Sequence, residues 1–179
     1  MNEKRNRTQA IKLLAILLAA ATDVFAETST RRLVISIPDR KLAVLEEGRV
    51  VKIYPIAVGK QSTPSPSGNF HIATKVVKPT WYQPGKVVSP GPANPLGTRW
   101  MGLGYKGYGI HGTNRPRSIG KAASHGCIRM RIPDVEELFE LVQVGDPVDL
   151  VTEVNADLAK VFGDAELEKT AGVAAGGGQ

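Results

Sequence analysis

The chain has 179 residues, 42% of them hydrophobic and 22% charged, with a formal net charge of +6. That is enough for one domain of ordinary size and too little for two, and it excludes a disordered chain, a collagen-like repeat and a multi-span membrane protein. Frequent Gly (19) and Pro (12) favour turns and strands over long helices, and a single cysteine excludes an intrachain disulfide.

Lys4, Arg5, Arg7 and Lys12 make a basic start, and Leu13 to Ala21 is an apolar run shorter than a bilayer-spanning helix needs. Val24 and Ala26 set small side chains ahead of a cut before Glu27. This three-part pattern predicts a secretory signal peptide over residues 1–26 and an exported protein of the periplasm or cell wall. The remaining chain would carry a net charge of +4. A modest positive balance suits an anionic wall or membrane-surface neighbourhood. No basic run with interleaved aromatics suggests nucleic acid as a partner.

Leu33 to Ile37 (LVISI) is a β-branched run stopped by Pro38-Asp39, and Lys41 to Leu45 (KLAVL) follows before the turn at Glu47-Gly48. Arg49 to Ile53 and Ile56 to Val58 come next, so short strands with tight turns predict an antiparallel meander ended by Gly59. Residues 60–69 are rich in Pro, Ser and Gly and predict a loop. Phe70 to Ala73 and Lys75 to Val77 are further strand candidates. Residues 79–109 hold seven Gly and five Pro with no regular period, and predict a long irregular segment. Its Trp81, Tyr82, Trp100, Tyr105 and Tyr108 would either line a groove or cover the edge of the core.

One helix is expected over 133–142. Pro133 suits a first turn, Asp134 complements the N-terminal partial charge, and Val135, Leu138, Phe139 and Val142 recur at helical spacing. Gly145-Asp146-Pro147 would end it, and Val148 to Val151 would close the domain as a strand. Many short strands with one amphipathic helix predict a mainly β fold, a sandwich or barrel-like mixed sheet with the helix packed on one face. Ala156 to Phe162 suggests a short helix ended by Gly163, and Thr170 to Gln179 has little to bury against its backbone entropy.

His111, His125 and Cys127, the only cysteine and two of three histidines, fall in one short stretch. A lone exported thiol is open to oxidation, so its retention beside two imidazoles asks for a chemical reason. A free thiol, with a pKa of about 8.5, is only slightly ionised at neutral pH, and an imidazole in reach can take its proton. Gly126 lets the backbone turn beside Cys127 so that successive N–H groups can converge on an oxyanion. In extended chain Arg129 would share a face with Cys127 and could hold a substrate carboxylate. On residue chemistry alone three alternatives stay open. They are an inert buried thiol, zinc held by His111, His125 and Cys127 without an evident fourth ligand, and a redox group without a resolving partner.

The order His111-Gly112, a spacer, then Ser124-His125-Gly126-Cys127-Ile128-Arg129 resembles the signature of the L,D-transpeptidases, the YkuD-like enzymes of bacterial cell-wall assembly. Further stretches share the likeness: residues 32–45 with the opening hairpin, Tyr54 to Lys60, Thr63 to Ile72, and Val144 to Val151 with the closing strand. The resemblance covers residues 31–152, taken as the catalytic domain, and leaves 153–179 as a C-terminal extension with a disordered tail. It implies Cys127 as nucleophile, His111 as general base and later acid, and the Gly112 carbonyl as the group orienting the imidazole. The N–H groups of His125, Gly126 and Cys127 would form an oxyanion hole, Arg129 would face the diaminopimelate carboxylate, and Ser124 would fix the loop. The implied substrates are peptidoglycan stem peptides, joined as 3–3 cross-links through a Cys127 thioester with release of D-alanine. An outer-membrane lipoprotein is a further candidate acceptor, water as acceptor would make an L,D-carboxypeptidase, and carbapenem-type molecules are the implied inhibitors. No metal or organic cofactor is implied. A non-catalytic peptidoglycan-binding module and a zinc-binding structural module are the competing expectations.

Overall fold

The structure, a computed structural model, describes residues 31–153, 156 and 158–163. The expected signal peptide and the C-terminal tail lie outside these residues. In chain order the strands are β1 (Arg32–Ser36), β2 (Lys41–Glu46), β3 (Arg49–Pro55), β4 (Val58–Gly59), β5 (Gly68–His71), β6 (Thr74–Val77), β7 (Trp81–Gln83), β8 (Lys86–Val88), β9 (Arg99–Gly102), β10 (Gly109–His111), β11 (Ala122–Ser124) and β12 (Ile128–Arg129). Helix α1 (Ile132–Leu141) and β13 (Pro147–Val151) follow.

Two sheets carry the fold. The larger has the order β3-β2-β1-β13-β5 and the smaller β12-β10-β9-β6, with two short ribbons, β11-β4 and β7-β8. Both main sheets are mixed: β1 runs parallel to β13, and β10 parallel to β12, while their other pairings are antiparallel. None of these sheets closes on itself, so among the described residues the architecture is open-sheeted and the barrel-like alternative drops out.

The expected meander holds for β1, β2 and β3 only. After Pro55 the chain leaves the sheet: Ala57 bridges Arg129, and β4 pairs with β11 in parallel. The loop predicted over 60–69 gives up its last two residues to β5, whose Phe70 pairs with Val148. Residues 79–109 are not structureless, since they hold the β7-β8 hairpin, β9 and the first residue of β10. Pro147 opens β13 rather than merely ending a turn. A proline is tolerated as the first residue of a strand, where its missing N–H costs no ladder bond.

The main core lies between the large sheet, the small sheet and α1. It includes Leu33, Ile35, Leu42 and Val44 from the first hairpin, Met101, Ile110 and Ile128 from the small sheet, and Val135 and Leu138 from the helix. Helix α1 starts one residue before the expected position, with Asp134 in its first turn, and buries Val135, Leu138 and Phe139. Lys75 lies 4.3 Å from the Phe139 ring centroid and donates to the Val142 carbonyl at 2.6 Å, tying the end of the helix segment to β6.

A second cluster lies on the opposite face of the first hairpin, where Val34, Ala43 and Leu45 pack with Leu158 and Phe162. Residues 158–163 are helical, and Gly163 is itself helical rather than the stop. Leu33 to Ile35 and Leu42 to Leu45 are therefore buried on both faces, which is why they are continuous apolar runs instead of alternating ones.

Candidate active site

Strand β10 is the axis of the site. Ile110 pairs with Ile128 on one side, and His111 pairs with Arg129 on β12 and with Trp100 on β9. Side chains alternate across a strand. Ile110 and Ile128 therefore enter the core, both fully buried, and His111, Arg129 and Trp100 share the other face. The same alternation carried back one residue from Ile128 brings Cys127 to that face, at the entry to β12. Arg129 acts electrostatically on both Cys127 and His111.

His111 is buried, at 4% exposure. Its Nδ1 meets the Gly112 carbonyl oxygen at 2.5 Å. A carbonyl only accepts, so Nδ1 carries the proton and Nε2 is the basic nitrogen. The ring stacks on Trp100 with centroids 5.7 Å apart and planes at 22°. Burial lowers the imidazole pKa from 6.5 to about 4; the Gly112 bond opposes this and Arg129 adds to it.

Cys127 is half-buried, and its thiol donates to the Gly107 carbonyl at 3.4 Å. Burial raises the thiol pKa, while the Gly109 backbone and Arg129 pull it down. Thiol and imidazole are thus both uncharged at neutral pH, and the thiol proton rests on a backbone oxygen of the loop between β9 and β10.

The turn that presents Cys127 is built from small residues. Buried Ser124 donates from Oγ to the Cys127 carbonyl at 2.6 Å and accepts the Gly126 N–H at 3.0 Å. Of the three N–H groups expected around an oxyanion, that of Gly126 is therefore engaged within the turn, while His125 is exposed at its apex. Gly126 has φ +112°, and a Cβ there would lie 2.5 Å from Cε1 of Tyr108. The turn is braced from behind by residues 60–65: Lys60 N–H and the Thr63 hydroxyl both donate to the Ser124 carbonyl, at 3.1 and 3.3 Å. The Ser65 hydroxyl accepts the Gly59 N–H at 2.9 Å.

Arg129 is half-buried, and among the described residues no carboxylate lies within ion-pairing distance of it. Burial, then the charge of Arg115, lowers its pKa. A guanidinium held this way favours an incoming anion. A cavity of about 450 Å³ lies past the end of β10, lined by Lys78, Pro92, Asn94, Thr98, Asn114 and Ile132, and includes none of Cys127, His111 or Arg129. Among the described residues no three His, Cys, Asp or Glu side chains form a metal-ligating group.

Cys127, His111, Gly112, Ser124, Gly126 and Arg129 thus come together, with His125 at the rim. Gly107 and Thr63 also belong to the site and were not singled out from sequence, and so do Trp100 and Tyr108, two of the aromatics expected either to line a groove or to cover the core edge. The one available signal was the crowding of Gly107-Tyr108-Gly109 against His111, which marks close approach of backbone.

A family model described as the L,D-transpeptidase catalytic domain, YkuD, matches residues 30–150. YkuD of Bacillus licheniformis, which bears an L,D-transpeptidase name, is 43% identical over 124 residues, 69% of this chain and 67% of its own. YqjB of Bacillus subtilis, named likewise, is 40% identical over 126 residues, 68% of this chain and 70% of its own. Among solved structures, that of the L,D-transpeptidase LdtMt1 in complex with imipenem superposes with a TM-score of 0.58 at 26% identity. It covers 69% of this chain, which spans 59% of that protein's length.

Proposed function

The chain belongs to the L,D-transpeptidase catalytic-domain family, and from that premise we propose that it is an exported enzyme that forms peptidoglycan 3–3 cross-links through a thioester on Cys127. The observation that carries this reading is the strand register that sets His111 opposite Arg129, two residues past the half-buried Cys127, with the buried imidazole's Nδ1 committed to the Gly112 carbonyl. Such an imidazole is an uncharged base with one nitrogen to offer.

The reaction follows from those charges. A tetrapeptide stem brings a carboxylate to Arg129 and its third-residue carbonyl to Cys127. The thiol turns from the Gly107 carbonyl and passes its proton to Nε2 of His111 as sulfur attacks the carbonyl carbon. The His125 and Cys127 N–H groups receive the developing oxyanion. Collapse breaks the C–N bond, and the imidazolium returns its proton to the leaving D-alanine amine. The amine of a second stem then attacks the thioester, loses its proton to His111, and restores the thiol. The imipenem complex of LdtMt1 supports carbapenem-type compounds as acylating inhibitors of the same sulfur. The basic start and apolar run before Glu27 support export to the periplasm or wall.

The test incubates the purified protein with a disaccharide-tetrapeptide and follows muropeptides and intact protein by mass spectrometry. Loss of D-alanine with a dimer is the expected result; loss without dimer would replace cross-linking by L,D-carboxypeptidase activity. Cys127→Ala and His111→Ala are expected to fold and to lose turnover at least ~10³-fold. Folded variants that retain turnover would overturn the assignment. In cells, an N-terminus other than Glu27 on the exported form would overturn the proposed cut.

A further inference from the structure

We propose that Trp100 is a positioning residue for His111: its indole, laid against the imidazole, fixes the ring plane and keeps Nε2 the open nitrogen of a dry, uncharged base. The inference rests on the reading of His111 as the base, and its test is read without turnover.

Three observations converge on it. Trp100 is the cross-strand partner of His111 on β9, and the two rings stack at 5.7 Å and 22°. The Nδ1 bond to Gly112 fixes one point of the imidazole, but a ring held at one point can still rock about it. A flat neighbour at stacking distance removes that freedom. Finally, the place where the indole lies is kept open by a pair of glycines. Gly102 and Gly109 are register partners on β9 and β10. A Cβ on Gly109 would come within 2.6 Å of Cζ2 and 2.7 Å of Cη2 of Trp100, and one on Gly102 within 3.3 Å of its Nε1. A side chain at Gly109 would push the indole away, and with it the wall against which His111 rests, whereas one at Gly102 would meet Thr74 Oγ1 first, at 2.6 Å, and only crowd the indole.

The surrounding charges do not do this work. Arg129 faces His111 from β12, with Arg115 acting on Arg129 and the Cys127 thiol beside it. From β9 no charge is offered: Arg99, the neighbour of Trp100, is turned to Glu136 at 3.6 Å and to the Phe139 ring. From β6 the partner of Trp100 is Val76. On the β9 side the imidazole is kept dry by the indole, so water admitted there should relax it toward ordinary behaviour.

The experiment is a ¹⁵N-imidazole NMR titration of the full chain, with His111 assigned through His111→Asn, in the wild type, Trp100→Phe and Trp100→Ala. Expected are a single Nδ1–H tautomer and a midpoint well below 6.5 in the wild type, both retained in Trp100→Phe. In Trp100→Ala the midpoint should rise by about one pH unit or more and the tautomers should mix. If Trp100→Ala does not fold, Trp100→Leu fills the volume without a flat ring and is expected to mix the tautomers. A folded Ala or Leu variant with the wild-type midpoint and tautomer would overturn the proposal. The shift read in a protein that turns over no stem peptide would sustain the role of Trp100 while removing the proposed reaction, so the two failures are separable.

Discussion

Gly126→Ala is the sharpest single probe of how the thiol is presented. At φ +112° an L side chain sits in a region that costs about 1–3 kcal/mol. The added Cβ would also lie 2.5 Å from Cε1 of Tyr108 and 3.2 Å from the Pro64 carbonyl oxygen. Ordinary carbon contacts are about 3.5–4.0 Å, so ring and turn must separate by about 1 Å. Tyr108 cannot yield freely: it stacks on Tyr105 at 5.0 Å, its N–H donates to the Tyr105 carbonyl at 3.0 Å, and its own carbonyl accepts from Leu103 at 3.1 Å. Overpacking of this kind costs about 1–3 kcal/mol, for a combined loss of about 2–6 kcal/mol, against a total stability of about 5–15 kcal/mol for an ordinary domain. Moving Tyr108 also moves Gly107, whose carbonyl receives the Cys127 proton, so turnover should fall with stability. Urea unfolding of Gly126→Ala, Tyr108→Ala and the double variant separates the two parts. With the ring gone, the glycine substitution should keep only its backbone cost, about 1–3 kcal/mol. An equal cost with and without the ring would refute the packing argument, and a loss below about 0.5 kcal/mol would refute both parts.

Acid should destabilise the protein through His111. Its folded pKa of about 4 lies below the unfolded value near 6.5, so the native state resists protonation. Its contribution is complete above pH 6.5 and is lost as pH falls through about 4, amounting to about 3 kcal/mol at ~1.36 kcal/mol per unit. His111→Asn keeps a donor for Gly112 without a titrating ring and should flatten that loss in urea unfolding at pH 7 and pH 4; parallel curves for both proteins would contradict it. Phe162→Ala should cost about 3–5 kcal/mol and lower the Tm, because the ring is 6% exposed on the second cluster. Its turnover at low temperature should stay unchanged, since that cluster lies on the far side of the large sheet, and an unaltered Tm would count against that packing.

The residues carrying the proposed chemistry were legible because they are close in the chain and of unusual type. A single cysteine behind Ser-His-Gly, with His-Gly shortly before it, needs no fold to be noticed. Strands β1 and β2 and helix α1 were legible as well, since an apolar run and a 3.6-residue repeat are local patterns. What could not be read is what those elements face. The runs at Leu33 and Leu42 do not tell that residues 158–163 cover their second face, nor that β13 enters beside β1, with Leu33 opposite Val148. Trp100 is one aromatic among five in a segment with no regular period. Only pairing of β9 with β10 sets it against His111. Sequence by itself determined which groups could react, because reactivity belongs to residue type and near neighbours. Tertiary structure alone decided their charge and orientation. Burial, ring stacking and strand register join residues far apart in the chain, and hydrogen bonds across a sheet leave no trace in local composition.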